Sequence, residues 1–307
     1  MSDSSRSDRA YLALIAASAA WGIGTVISKR AVEEIPPLAL LPIQLASSLA
    51  VMTVLLAANR LPFRDPTAPA ALERLGVLNP GLSYALGLLG LVSITASLAV
   101  LIWALEPLLI LLMAGWFLRE RLGVALIALS LVAAAGVGLV VYDPASTGSL
   151  LGVALTFAGV VCCAIYTTAA RRWLVHATET ASVVAAQQAY ALGFALVLAA
   201  IAWAVGGAVW PASPSAIGLA SAAVSGVLYY GLAYWMYLWA LRRMPASIAA
   251  ASFYLIPVFG LVASFAVLGE RLTTLQSIGA GVVLVAVLGI ARFAMDRGDP
   301  GADAVDT

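Results

Sequence analysis

The chain has 307 residues, of which 63% are hydrophobic and 10% are charged, and its mean hydropathy is +1.02. Soluble domains have roughly 25% charged residues, so this chain lacks the polar side chains needed to cover a globular surface in water. The charges of its 16 basic and 15 acidic residues nearly cancel, so no large positive potential favours the binding of nucleic acid. The composition excludes soluble enzymes, DNA-binding modules, disordered chains and disulfide-stapled secreted domains. It predicts an all-α polytopic membrane protein.

Ten stretches of the sequence are apolar and long enough to cross a bilayer as helices, which takes about 20 residues. They lack the strict alternation of membrane β-strands. The first stretch continues past its small residues, so we interpret it as a retained helix rather than a cleaved signal peptide. The predicted spans are residues 10–28, 38–58, 75–92, 96–118, 122–142, 150–170, 180–205, 215–241, 246–268 and 273–293.

The basic residues lie mainly at one set of span ends. With the N-terminus in the cytoplasm, all of the 16 except Lys29, Arg30 and Arg271 fall on the cytoplasmic side. Such a bias sets the orientation of a membrane protein. We therefore predict ten transmembrane helices with both termini cytoplasmic, in the bacterial inner membrane.

An offset of 150 residues aligns the two halves of the chain. The matching segments are Gly81-Leu82 with Gly231-Leu232, Ala96-Ser97 with Ala246-Ser247, Leu105-x-Pro107 with Leu255-x-Pro257, and Glu120-Arg121-Leu122 with Glu270-Arg271-Leu272. Because each half contains an odd number of spans, the second copy is inverted, which is a recurring transporter architecture. We predict two inverted five-helix repeats, residues 1–143 and 144–295, and a disordered tail at 296–307. Channels and scaffolds also arise by gene duplication, so they stay open as alternatives.

Glu106 is the acidic residue deepest in the predicted spans, near the middle of residues 96–118. An ionisable residue at that depth is costly and usually faces a cavity or a partner. It is either a counter-ion or proton-coupling site, or a protonated side chain bonded to carbonyls that Pro107 frees. The residue equivalent to Glu106 in the second half is Ile256, and this asymmetry favours a ligand site.

Pro107 and Pro257 predict bends in their helices, which are either gating hinges or fixed kinks.

Aromatic and small polar side chains lie too deep in the spans to belong to interfacial belts. Buried tyrosine hydroxyls need hydrogen-bond partners, and each residue alone could serve helix packing. As a set they predict a cavity with aromatic walls and a few polar groups. The predicted binding residues are Trp21, Asn79, Ser83, Tyr84, Trp103, Glu106, Tyr166, Tyr229, Tyr234, Phe253 and Tyr254. The amides Gln44, Gln187 and Gln188 either line the path or join helices.

The sequence lacks the residues that several kinds of chemistry require. His176 is the only histidine and is predicted in a cytoplasmic loop, and no Gly-x-x-x-x-Gly-Lys phosphate loop is present. Cys162 and Cys163 are adjacent within one span, which favours buried packing over a disulfide or a zinc site. We therefore predict that the protein is not an enzyme and has no cofactor and no metal.

The repeated motifs resemble those of a known superfamily. A proline in spans four and nine, followed about a dozen residues later by Glu-Arg-Leu, together with Trp21-Gly22, is similar to the EamA-type exporters of the drug/metabolite transporter superfamily. Phe117–Leu122 and Val267–Leu272 carry the match, although Arg119 stands where the second copy has Gly269. The resemblance implies a ten-helix transporter of two five-helix repeats. In its overall sequence and in the aromatic residues of its predicted cavity, the chain looks most like the YddG-type exporters of aromatic amino acids.

The sequence therefore predicts a secondary transporter that exports aromatic or hydrophobic amino acids and related metabolites by alternating access, passively or coupled to protons. The expected partners are a small-molecule substrate and the lipid bilayer, without nucleic acid, and the chain could act as a monomer. An exporter of amphipathic cations or drugs is the alternative, because an acid among aromatic rings also suits a cation. A channel or scaffold without transport activity is the third hypothesis.

Overall fold

The computed structural model describes residues 3–118, 124–142, 148–174, 177–206, 213–241 and 252–296. Within these ranges all regular structure is helical and no strand is present. Helices satisfy their backbone hydrogen bonds internally, as a hydrocarbon environment requires. The α-helices are α1 (Asp3–Val32), α2 (Pro37–Ala58), α3 (Ala70–Arg74), α4 (Ser83–Leu91), α5 (Ala96–Trp103), α6 (Glu106–Leu118), α7 (Val124–Tyr142), α8 (Leu150–Leu174), α9 (Thr180–Ala204), α10 (Ala216–Gly226), α11 (Ala233–Leu241), α12 (Ile256–Ala263) and α13 (Thr274–Asp296).

Five segments of the described chain are long and apolar enough to cross a membrane. They are Arg9–Val32, Pro37–Ala58, Leu150–Ala170, Thr180–Ala204 and Ala216–Tyr237, and they coincide with predicted spans one, two, six, seven and eight. Shorter apolar helices fall within predicted spans four, five, nine and ten. Exposed side chains on these helices are largely aliphatic, whereas the glutamines and most of the serines that the structure describes are buried. The arrangement suits a surface that faces lipid rather than water.

Predicted spans three and eight change helix type at equivalent positions. A π-helical turn at Leu78–Leu82 precedes α4, and another at Val227–Leu232 joins α10 to α11. Within the first turn, Asn79 has extended backbone angles of φ −144° and ψ 121°. Span three is therefore unwound at Asn79 rather than one continuous helix.

Predicted spans four and nine are also divided. Ala104 and Leu105 form a turn between α5 and α6, and a 3₁₀ turn at Ser252–Leu255 precedes α12. Pro107 and Pro257 each lie in the first turn of the helix that follows. Proline is well tolerated there because the amide hydrogen that it lacks would have no partner within the helix. The prolines thus lie beside interruptions, as their sequence positions predict.

The contacts between the two halves form a symmetrical set. Spans two, four and five pack on their equivalents seven, nine and ten, through α2 with α9, α5 with α12, and α7 with α13. The remaining contacts between the halves occur in matched pairs. Span one packs on spans eight and nine, and its equivalent, span six, packs on spans three and four. In the same way, span two contacts span eight and span seven contacts span three. Exchanging the halves leaves this set unchanged, which is the pattern of a pseudo-two-fold arrangement.

Two equivalent glycines allow close approaches between helices of the two halves. A Cβ atom on Gly76 would lie 2.0 Å from the carbonyl oxygen of Gln187, and one on Gly226 would lie 2.3 Å from that of Gln44. The Gln187 side chain also donates to the carbonyl of Leu72 at 2.8 Å. Small residues at such positions bring helix backbones together.

The loop between α2 and α3 is attached to the N-terminus of α9 by Asp65. Its buried carboxylate accepts hydrogen bonds from the backbone N–H groups of Thr178 and Glu179, both at 2.7 Å, and of Thr67 at 2.9 Å. Burial raises the pKa of Asp65, but the hydrogen bonds outweigh it and lower the pKa to about 2. The negative charge also complements the positive end of the α9 dipole.

The connector between α4 and α5, at the opposite end of the bundle, is held at both of its ends. The Glu270 carboxylate accepts hydrogen bonds from the backbone N–H groups of Ala96 at 2.8 Å and Ser97 at 2.9 Å. Lys29 Nζ donates to the carbonyl of Leu91 at 2.8 Å. An acid therefore caps a helix N-terminus and a base caps a helix C-terminus, as the helix dipole favours.

We expect Asp65→Asn to lower the thermal stability of the protein in detergent at pH 7. Hydrogen bonds to charged groups are worth about 1.5–3 kcal/mol. Because the folded-state pKa is depressed, this stabilisation is complete above the unfolded pKa of about 4 and is lost as pH falls towards about 2. The gap between variant and wild type should therefore narrow below pH 4. Glu33→Gln, in an exposed ion pair with Arg30, is the control, and equal losses in the two variants would contradict the assignment.

We also expect Gly76→Ala to destabilise the protein strongly, because its methyl group overlaps the backbone of α9. Gly193→Ala in α9 is the matched control, since nothing lies within 4 Å of its added Cβ. Alanine favours a helix over glycine by about 1 kcal/mol at such an unconstrained site. Thermal unfolding in the same detergent should separate the two variants, and similar melting temperatures would be inconsistent with close packing at Gly76.

Candidate functional site

Aromatic rings from α1, α11 and the turn before α12 meet inside the bundle. Trp21 lies edge-on to Tyr234 and Phe253, each with ring centroids 5.3 Å apart, and to Tyr237 at 5.7 Å. Tyr237 stacks on Phe253 at 4.7 Å. Edge-to-face and offset-stacked pairs of this kind stabilise a structure beyond their buried area.

A second group of rings surrounds Tyr84 of α4. Its ring stacks on Trp103 at 5.3 Å and meets Tyr229 and Tyr230 edge-on at 5.1 and 5.0 Å. The hydroxyl oxygens of Tyr84 and Tyr234 are 3.1 Å apart, which joins this group to the first. Together they form the aromatic cluster, which consists of Trp21, Tyr84, Trp103, Tyr229, Tyr230, Tyr234, Tyr237 and Phe253.

Asn79 lies at the edge of the aromatic cluster, in the unwound part of span three. Its Nδ2 donates to the hydroxyl of Tyr234 at 3.0 Å. Its Oδ1 is buried and has no hydrogen-bond partner among the described residues. Asn79 also lines a central cavity of about 10 Å³, room for about one water molecule. The other polar side chains around this cavity are Tyr166, Gln187, Gln188, Tyr230 and Tyr234.

Glu106 begins α6, directly after the turn that interrupts span four. Its Oε1 accepts a hydrogen bond from Cys163 Sγ of α8 at 3.1 Å. Within the described residues no lysine or arginine forms an ion pair with it. The first turn of a helix is a favourable place for a carboxylate because of the helix dipole. In the part of the chain that the structure describes, the hydrogen-bond partner of this carboxyl group is thus Cys163, which is neutral.

A wider groove of about 540 Å³ lies between α2, the start of α9, and α11. Asn59, Glu179, Trp235 and Trp239 are among the residues that line it. Ala181 lines this groove, and Val184 on the same face of α9 lines the central cavity. Val184 and Met52 belong to a buried cluster against which Tyr234 packs. A thin apolar layer thus separates the groove from the central cavity.

The structure brings most of the predicted site residues together. Trp21, Tyr84, Trp103, Tyr229, Tyr234 and Phe253 belong to the aromatic cluster, and Asn79 and Tyr166 line the central cavity. Ser83 instead donates to the carbonyl of Gly159 at 2.8 Å and joins α4 to α8. The side chain of Tyr254 lies outside the described part of the chain, as do His176 and Glu120.

Some residues at this site were not predicted from the sequence. Tyr237 follows Tyr234 by three residues, so helical spacing could have indicated it. Cys163 was interpreted as a packing residue, and no local pattern pairs it with Glu106. The amides mainly join helices: Gln188 accepts from Ser48 Oγ at 2.7 Å, and Gln187 accepts from the Tyr166 hydroxyl at 2.8 Å.

Comparison with family models identifies one family for this chain, and two further proteins resemble it over most of its length. The sequence model of the EamA-like transporter family matches this chain twice, at residues 8–142 and 150–292. An uncharacterized transporter from Archaeoglobus fulgidus is 26% identical over 285 residues, which cover 89% of this chain and 95% of that protein. A solved crystal structure with 18% sequence identity has the same fold, with a TM-score of 0.67 over 93% of this chain and 98% of that one. Because the two family matches span nearly the whole sequence, this multi-pass membrane protein belongs to the EamA-like transporter family.

Proposed function

We propose that the protein is a secondary transporter that exports small aromatic or hydrophobic compounds with an amino group, aromatic amino acids among them. Membership of a transporter family points to transport rather than to enzyme activity. The observation that carries the substrate class is the aromatic cluster with Glu106 nearby on α6 and no basic partner among the described residues. Aromatic faces attract both flat rings and cations.

We propose ten membrane crossings in two inverted repeats, residues 1–143 and 144–295, with both termini in the cytoplasm of a bacterium. Two family matches and the symmetrical contacts between halves support the repeat. The bias of basic residues supports the orientation in the inner membrane. A pseudo-two-fold axis in the membrane plane gives one chain two related states, open to opposite sides.

In this proposal the substrate site forms around the central cavity when the cavity widens beyond the volume of one water molecule, and the groove is its cytoplasmic access. Tyr234, with Met52 and Val184, separates the two. The opposite end is closed where Glu270 and Lys29 hold the α4–α5 connector. Pro107 and Pro257 lie beside the interrupted helices and would act as hinges during the exchange.

One observation favours amphipathic cations as a second candidate substrate class. A free amino acid carries a carboxylate, but among the described residues the site offers it only neutral donors such as tyrosine hydroxyls and amides. A cation, in contrast, finds the Glu106 carboxyl group and the aromatic rings. Organic cations therefore suit the charge of the site at least as well as zwitterions do.

Uptake into liposomes that contain the purified protein tests these proposals. Saturable flux of labelled phenylalanine or tryptophan would support an amino acid transporter, and its absence with every probe would contradict the transporter proposal. Competition by quaternary amines without competition by phenylalanine would favour the second candidate. Threonine and lysine serve as competitors without an aromatic ring.

We expect Glu106→Gln to abolish transport driven by a pH gradient while preserving substrate counterflow. The amide keeps the size of the side chain and its hydrogen bonding, but it cannot exchange a proton. Flux is measured in liposomes with and without a pH gradient. Glu33→Gln, in an exposed ion pair, should behave like wild type. Wild-type transport by Glu106→Gln under a pH gradient would mean that Glu106 is structural.

We expect Trp103→Leu to raise the KM for aromatic substrates by about twofold to tenfold, because one ring contact is worth roughly 0.5–1.5 kcal/mol. Substrates without a ring should be much less affected. Trp203→Leu is the matched control, since Trp203 is 76% exposed on α9. Initial rates over a range of substrate concentrations measure the effect. An equal change in both variants would remove Trp103 from the site.

A further inference from the structure

We infer that Asn79 determines the polar end of the transported molecule: its Oδ1 accepts a hydrogen bond from an N–H group of the substrate. The protein would therefore select protonated primary amines over quaternary ammonium compounds of the same skeleton. This inference rests on the proposed transport function and refines its substrate class.

The first argument is the unpaired acceptor itself. Asn79 is 1% exposed, and its Nδ2 is engaged by Tyr234, yet its Oδ1 has no partner among the described residues. Buried polar groups in native proteins are almost always hydrogen-bonded, so an exception needs an explanation. A group that is satisfied by a ligand during function provides one.

The second argument is that the neighbouring donors are already used. The Tyr166 hydroxyl donates to Gln187 Oε1 at 2.8 Å, and Gln187 Nε2 donates to the Leu72 carbonyl at 2.8 Å. Gln188 Nε2 donates to the Tyr230 carbonyl at 2.7 Å. Each of these groups is directed at another acceptor and none is bonded to Asn79 Oδ1, so a molecule that enters the cavity is the available source of a donor.

The third argument is the local backbone. Span three unwinds at Asn79, and irregular backbone at membrane depth occurs where it is enclosed by protein or lines a cavity. Discontinuous helices of this kind form substrate sites in transporters built from repeats. The equivalent residue in the second half is Tyr229, so only the first half provides this amide. Glu106 likewise has the apolar equivalent Ile256. A ligand with one polar end fits such an asymmetrical site.

The test compares binding of phenethylamine with that of (2-phenylethyl)trimethylammonium to the purified protein, by calorimetry in detergent. The two cations share the ring and the charge, but only the first donates hydrogen bonds. We expect wild type to bind the primary amine at least tenfold more tightly. Asn79→Leu preserves the size of the side chain and should reduce this ratio by about tenfold. The size penalty of the methyl groups is common to both proteins and cancels in this comparison.

Two further variants sharpen the result. Asn79→Asp keeps the acceptor oxygens and removes the amide donor, so it should retain the preference for the primary amine. Thr53→Val removes a polar group from an exposed side chain of α2 that lines neither the groove nor the central cavity, and it should leave the ratio unchanged. Asn79→Ala provides the same readout where the leucine variant does not fold.

An unchanged ratio in Asn79→Leu or Asn79→Ala would overturn the inference, because a retained water would then satisfy Oδ1 in every state. Loss of the preference in Asn79→Asp would also overturn it, because the carboxylate oxygens would then fail to replace the acceptor that the inference requires. Equal binding of the primary amine and the quaternary ammonium compound by the wild-type protein would also overturn the inference. Binding with the expected ratios but no flux in liposomes would contradict the proposed function alone.

Discussion

A backbone in hydrocarbon must find partners for all of its polar groups within the protein, and the organisation of this bundle follows from that constraint. The five long helices meet it with their own hydrogen bonds. Interruptions in the other spans can occur only where protein surrounds them, and both Asn79 and the Ala104–Leu105 turn are buried beside the aromatic cluster. The places where helices break and the place where polar groups face a cavity therefore coincide. A transporter needs both features at mid-membrane, because binding and bending must be coupled.

The frame of the bundle is duplicated, whereas its polar site is not. Gly76 with Gln187 and Gly226 with Gln44 form the same close approach in both halves, and the contacts between spans repeat in the same way. Charged residues that support the frame, such as Asp65 and Glu270, cap helix ends. Asn79 and Glu106 have apolar or aromatic equivalents instead. A symmetrical helix frame suits a transporter with two related states. An asymmetrical binding site suits a ligand whose two ends differ.

The sequence predicted the all-helical fold and the transporter family because both depend on properties that are averaged over many residues. Hydrophobic length and the 150-residue offset are of this kind, and the family match confirms the resemblance to the EamA family, while the likeness to YddG-type exporters stays a prediction. The prolines indicated bends in spans four and nine, but the unwound turn at Asn79 was not predicted, since composition alone does not distinguish an interrupted helix from a continuous one. Ser83 was predicted in the site, but it faces Gly159, because a single sequence does not define which helix packs on which face. The contact of Cys163 with Glu106 depends on that same packing. The roles of the site residues stay predictions.

The charge of the site constrains the transport cycle more than its shape does. A proton and a protonated amine would compete for the same carboxyl group on Glu106, since in each case one positive charge offsets one negative charge. Competition of this kind couples opposite movements, because the site empties of one cation as it takes the other. A neutral substrate would not compete in this way, and its passage would be passive. In the proposed cycle, the dependence of transport on the pH gradient would therefore be set by the charge of the substrate as well as by Glu106.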